Sequence, residues 1–424
     1  MANPLGVFFS RLAPEEKRFI KKIGLFSVVL LIASGFAMFF YTNFKKEKAE
    51  QSEQSEQSEA SMDSVAAALE MPPEPEVPEH IEEELPSENS QDLFADDFDG
   101  QAHLQLMRQN VKEYNYQMAY KHGLKIVGYL RDVPELAAEW GHILLEAGKP
   151  QDAVSVLQKT DAAVDLAFAM HRSGNTEDAI QFLDDKLKSS NDANLLTVKA
   201  AIIGEHPDTT KRAAAALIFK KVLKIKPLLP EANYQYGRFL MQKGDYQDSK
   251  VHLERALKVK PDEPRYIARL GMAEFYLKHD SNAESLYKKA LKINPYDYNT
   301  WFNLGELYLS RANESSYSHE IQQKTQKAFE AYLKAIENDS LHTGAHYRIG
   351  LILNGNGGYK EAVKHLIMVL EKIPDDIPSM QQLSVAYAQL GDTAKSIDYL
   401  NKILQIDPFN KIAANEFNRI REQK

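Results

Sequence analysis

Over the last three-quarters of the chain, apolar residues return at helical spacing in short runs broken by polar turns. Tyr236 and Leu240 share one such run, and Leu253 and Leu257 share the next; a four-residue spacing puts each pair on one face of a helix. The runs come in twos. Gly244-Asp245 and Gly391-Asp392 separate the members of their pairs, at the place where a helix ends on glycine. Leu223-Lys-Ile-Lys-Pro227, Leu257-Lys-Val-Lys-Pro261, Leu291-Lys-Ile-Asn-Pro295 and Leu404-Gln-Ile-Asp-Pro408 close four pairs in the same way. Proline cannot continue a helix, and it disfavours helical geometry at the residue before it. Pro230 and Pro264 open the following runs, where a missing N–H costs little. Gly237, Gly271 and Gly305 recur every 34 residues, as do Pro227, Pro261 and Pro295. This periodicity predicts an all-α solenoid of helical hairpins. One hairpin cannot bury both of its apolar faces, so the copies must stack.

The pattern divides the chain into four parts. Residues 1–22 form a short N-terminal segment. Residues 23–44 (Ile23 to Phe44) contain no charged residue and are long enough to cross a bilayer as a helix. Lys21-Lys22 and Lys45-Lys46 flank this stretch. A cleaved signal peptide is the competing reading, with small residues at Gly35-Phe36-Ala37; the apolar run continues past Ala37 and the leader is long and charged, which favours an uncleaved anchor. Lysine and arginine are denser before the span than after it, so the positive-inside tendency sends the rest of the chain across the membrane. Residues 45–99 are Gln/Ser/Glu triplets followed by interleaved proline and glutamate, a composition predicting a disordered, self-repelling linker. Leu93-Phe94 and Phe98 stand out there as apolar residues in an acidic setting. Residues 100–424 hold the array, read as about nine hairpins closed by a terminal helix from Lys411. The copy opening at Tyr298 carries extra residues, Arg311 to about Gln322, placed between its two helices.

In Trp301-x-x-Leu304-Gly305-x-x-Tyr308, and then Ala328-x-x-x-Tyr332-x-x-Ala335, the chain resembles the tetratricopeptide repeat (TPR) family. That resemblance implies a right-handed superhelix whose first helices line a concave face for protein partners. Projected on a helical wheel, Tyr234 and Arg238, Met272 and Phe275, Phe302 and Glu306, and Tyr347 fall on that face. Residue types of this kind, apart from the glutamate, are enriched where partners bind. Some family members clamp chaperone C-terminal carboxylates with two lysines, two asparagines and an arginine. Here Asn303 and Arg348 match two of those places, whereas Ala268, Met272 and Gly344 occupy the other three. Such a set is a poor carboxylate clamp.

Charge and chemistry narrow the remaining options. The net charge of −9 is concentrated in residues 45–99, which carry −15, while residues 1–44 and 100–424 each carry +3. A near-neutral array gives no basic field for nucleic acid. The absence of cysteine removes disulfides, thiolate metal sites and cysteine nucleophiles. Gly355-Asn-Gly-Gly358 lacks the Lys-Ser/Thr ending of a phosphate loop. His342 and His346 have metal-pair spacing, but His346 takes the place of Trp301 in its repeat, which predicts packing. No cofactor, metal, small-molecule substrate or enzymatic activity is expected. The expected function is a membrane-tethered scaffold that binds a protein segment in its groove, with self-association open. Its setting would be the assembly of a bacterial envelope machine such as a secretion system, pilus, flagellum or cell wall, anchored in the inner membrane with the array in the periplasm. The alternative is a cytosol-facing organelle receptor for client or chaperone peptides.

Overall fold

A computed structural model describes residues 98–422. The expected N-terminal segment, the span Ile23–Phe44 and nearly all of the acidic linker lie outside the described residues. Among the described residues every regular element is a helix, and no helix is long and apolar enough to cross a membrane.

The twenty helices of the described residues pair into nine hairpins with two additions. The pairs are α1 (Phe98–Lys112) with α2 (Tyr116–Leu124), α4 (Pro134–Glu146) with α5 (Pro150–Leu157), α6 (Ala163–Arg172) with α7 (Thr176–Leu187), and α8 (Ala193–Gly204) with α9 (Thr209–Ile225). They continue with α10 (Pro230–Gln242) and α11 (Tyr246–Val259), α12 (Pro264–Tyr276) and α13 (Asp280–Ile293), and α14 (Tyr298–Asn313) and α15 (Ser318–Asn338). The last two are α16 (Thr343–Gly355) with α17 (Tyr359–Lys372) and α18 (Ile377–Gln389) with α19 (Thr393–Ile406). Short α3 (Val127–Asp132) bridges the first and second hairpins, and α20 (Lys411–Glu422) ends the array. From α4 onwards the second helix of each hairpin packs on the first helix of the next. The first helix α1 opens at Phe98, slightly ahead of the expected boundary at 100.

The 34-residue glycines mark where the two helices of a hairpin touch. A Cβ added at Gly237 would lie 2.9 Å from Leu253, at Gly271 3.0 Å from Tyr287, and at Gly305 2.5 Å from the Tyr332 ring. Each partner is fully buried. The turn glycines do a different job: Gly244 and Gly391 adopt φ of +82° and +79°, a region closed to most side chains. In the hairpin α12/α13 that same turn position is filled by Lys278 at φ +64°, so the geometry of the turn outlasts the glycine.

One expectation is corrected. The extra residues Arg311 to Gln322 do not form an insertion between two helices of ordinary length. They lengthen both helices, leaving only residues 314–317 outside them. Arg311 is held by Asp280 and Glu284 of α13, and Lys324 bonds Glu320 one turn away at 2.8 Å; such pairs support helical extension over a loop.

Candidate functional site

One concavity has a volume of about 830 Å³. First helices and hairpin turns build most of it. Arg265, Ala268, Arg269 and Met272 form a stripe along α12, Asn299, Thr300 and Asn303 continue it on α14, and Tyr234 of α10 begins it. The stripe follows the i, i+3, i+4, i+7 rule for one helix face. The Tyr114–Gln117 turn, His142 and Arg172 complete the lining from the first three hairpins. The array therefore curls until its beginning stands across a cavity from its middle.

The lining combines rings, amides, three arginines and the carboxylates of Glu146, Glu263, Asp297 and Glu337. Tyr234 stacks on Tyr266 with ring centres 4.7 Å apart, and the Arg265 guanidinium lies 5.8 Å from the Tyr234 ring centre. Arg265 Nε donates to Glu263 at 3.1 Å. Burial works against the charge on Arg265, but Tyr234, Glu231 and Glu263 outweigh it, and its pKa is raised. Arg269 donates only to the Met272 sulfur, at 3.4 Å, and has no carboxylate within ion-pair distance among the described residues. Across the cavity, burial pushes the Tyr116 hydroxyl up to about 12, keeping it a neutral donor. Such a surface can hold a peptide by ring stacking, amide hydrogen bonds and a free guanidinium.

Of the seven residues expected to bind a partner, Tyr234 and Met272 line this cavity. The others have intramolecular roles. Arg238 donates to Glu205 at 2.9 Å and to Gln235 at 2.8 Å. Glu306 accepts from Nε and Nη2 of Arg348, each at 2.7 Å, and from the Tyr332 hydroxyl at 2.6 Å. Phe302 packs beside Tyr332 and His342, Phe275 packs on the core around Tyr308 and Tyr332, and Tyr347 packs on Leu366 and Leu383. Sequence reasoning passed over Arg265, Arg269, Tyr298 and Asn299. Two of them, Arg265 and Asn299, share the second position of their first helices, a signal that a column-by-column reading of the 34-residue period carries.

The two histidines with metal-pair spacing turn to different partners. His342 caps α16 by accepting from the Ala345 N–H at 3.0 Å. His346 is buried, with Nε2 2.9 Å from the Ser340 carbonyl and Nδ1 2.9 Å from Nδ1 of His365. Trp301 and Asn233 occupy the corresponding places. Each also donates to the carbonyl six residues earlier, Pro295 at 2.8 Å and Pro227 at 2.9 Å. In these three hairpins this position thus ties the hairpin to the end of the one before it. Burial first, then His346 and Lys364, pull His365 down to about 4. A histidine depressed in the folded state stabilises fully above its ordinary value of 6.5 and loses that contribution as pH falls towards about 4. Urea midpoints should therefore drop between pH 7 and pH 4.5, and His365→Gln should remove part of that drop; an unchanged pH dependence would exclude the pair as its source.

Comparison with known proteins agrees with this geometry. Models described as tetratricopeptide repeat match residues 210–270, 286–329, 264–297 and 377–410. Superkiller complex protein 3 of Homo sapiens is 27% identical over 31% of this chain and 8% of its own length. Protein CTR9 homolog of Arabidopsis thaliana is 24% identical over 45% of this chain and 17% of its own. The chain thus spans a small fraction of these relatives. In fold, it resembles a chain of the anaphase-promoting complex hetero-tetramer Cut9-Hcn1, with TM-score 0.52, 14% identity, and coverage of 76% of this chain and 65% of that one. The chain carries tetratricopeptide repeats. They form an all-helical array.

Proposed function

We propose that the array is an adaptor that receives an extended or helical segment of a protein partner in the cavity between its first hairpins and α12–α14. One observation carries this reading: side chains from separate hairpins converge on one concavity and leave Arg269 without a carboxylate among the described residues. Two similar proteins bear names that make them parts of complexes, the Superkiller complex and the Cut9-Hcn1 hetero-tetramer. The reading extends to a tether. The uncharged stretch 23–44 with its lysine flanks anchors the chain in a bacterial inner membrane, and the acidic stretch 45–99 links that anchor to an array in the periplasm, at an envelope assembly. The rival reading as a receptor for chaperone tails loses support because Arg348, one of its two matching residues, is occupied by Glu306.

A photo-cross-linking residue at Asn299 should capture a discrete partner in native membranes, and Arg269→Glu should abolish that capture. The same residue at Leu217, 70% exposed on α9, should capture nothing specific. Equal capture at both places would remove the cavity as the site. The tether has its own check: protease added to intact spheroplasts should digest the array, and protection until lysis would reverse the orientation.

A further inference from the structure

A second concavity, of about 770 Å³, opens on the other side of α14. Asn299 and Asn303 face the first cavity, whereas Trp301, Leu304 and Tyr308 form the floor of this groove, joined by Leu291 of α13 and Ala331 of α15. The two sets are roughly half a helix turn apart on α14, and the two concavities share only Glu337 of α15. The rim is basic. Lys288 and Lys292 stand on one side and Lys327 and Lys334 on the other, against Glu330 and Glu337. Lys288 is paired with Glu284 and Lys334 with Glu337. Lys292 has no acidic partner among the described residues, and Lys327 lies over the Tyr308 ring at 5.9 Å. An apolar trough between two lysine rows selects an acidic segment that carries spaced apolar residues.

This chain contains such a segment. Asp92-Leu93-Phe94-Ala95-Asp96-Asp97-Phe98-Asp99 places three large apolar residues among four aspartates, in the most acidic part of the sequence. We infer that the groove between α13, α14 and α15 is the docking site for this acidic segment of a second copy of the chain. A second copy fits the placement of the first hairpin. The segment ends in the first turn of α1, and its own hairpin α1/α2 lines the first cavity through Tyr114–Gln117 and contributes nothing to the groove. The first cavity is a poorer match to the same segment, because Glu146, Glu263, Asp297 and Glu337 line it beside its three arginines.

The chain has no cysteine, so engineered thiols report on this contact without background. Full-length copies carrying Ala95→Cys and a size tag are mixed in membranes with untagged copies carrying Glu330→Cys, and the mixed disulfide is followed under mild oxidation. It should form several-fold faster than the disulfide between Ala95→Cys and Leu217→Cys copies. Lys292→Glu with Lys327→Glu on the Glu330→Cys copy should bring the rate down to that control, with helical circular dichroism unchanged. A rate equal to the control from the start, or one indifferent to the lysine reversals, would overturn the proposal. So would a disulfide that forms only within single chains carrying both cysteines. None of these outcomes depends on the first cavity, where Arg269→Glu reads separately.

Discussion

Gly305→Ala should lower the stability of the array by about 3 kcal/mol, at the upper end of what one added carbon costs in a packed core. The new Cβ would stand 2.5, 2.7 and 2.9 Å from three carbons of the Tyr332 ring. That ring has nowhere to go. It is completely buried, and its hydroxyl donates to Glu306 at 2.6 Å, so rotating it away breaks a hydrogen bond as well. Gly355→Ala is the matched control, because a Cβ there meets nothing within 4 Å. It should be neutral or stabilising by up to about 1 kcal/mol, the helix-propensity difference between the two residues. Urea denaturation of both variants separates the explanations. Similar losses would mean that general backbone effects, and not the approach of α14 to α15, set the stability.

Glu306→Ala should cost about 2–4 kcal/mol. Removing one partner of a partly buried ion pair strands the other charge, and the stranded charge dominates the loss. Arg348 keeps 32% of its side-chain surface exposed and Glu306 24%, so water reaches both and holds the figure below that of a fully buried pair. Three donors converge on the Glu306 carboxylate: Nε and Nη2 of Arg348 and the Tyr332 hydroxyl. Glu306→Gln retains an acceptor for Tyr332 but weakens the charged fork, and should lose roughly half as much. In a double-mutant cycle Arg348→Ala should then add little to Glu306→Ala. Partner capture by the surviving folded protein should be intact. Capture lost with stability unchanged would instead return Glu306 to the binding surface.

These two variants also show where legibility ended. The close approach at Gly305 was readable, because the glycine recurs with Gly237 and Gly271 at a strict period and only a helix–helix contact demands the smallest side chain at that spacing. The role of Glu306 was not. On a helical wheel it shares a face with Tyr347 and Phe302 and looks like an exposed acid. Its partner Arg348 is 42 residues away, on the next hairpin, at a distance that the extended helices α14 and α15 alter. Arg238 is the same case, bound to Glu205 of the preceding hairpin.

The sequence by itself determined the hairpins: their helical pairs, the glycine contacts within them, the positive-φ turns, and the prolines that start and stop them. These features rest on neighbours close along the chain, where backbone stereochemistry and the 3.6-residue period leave few choices. The tertiary structure alone decided which first-helix side chains face open space. That depends on small rotations between successive hairpins, which add up until Tyr114–Gln117 stands across a cavity from Tyr296–Thr300. No single period encodes the accumulated rotation, because each increment is set by side-chain packing between hairpins.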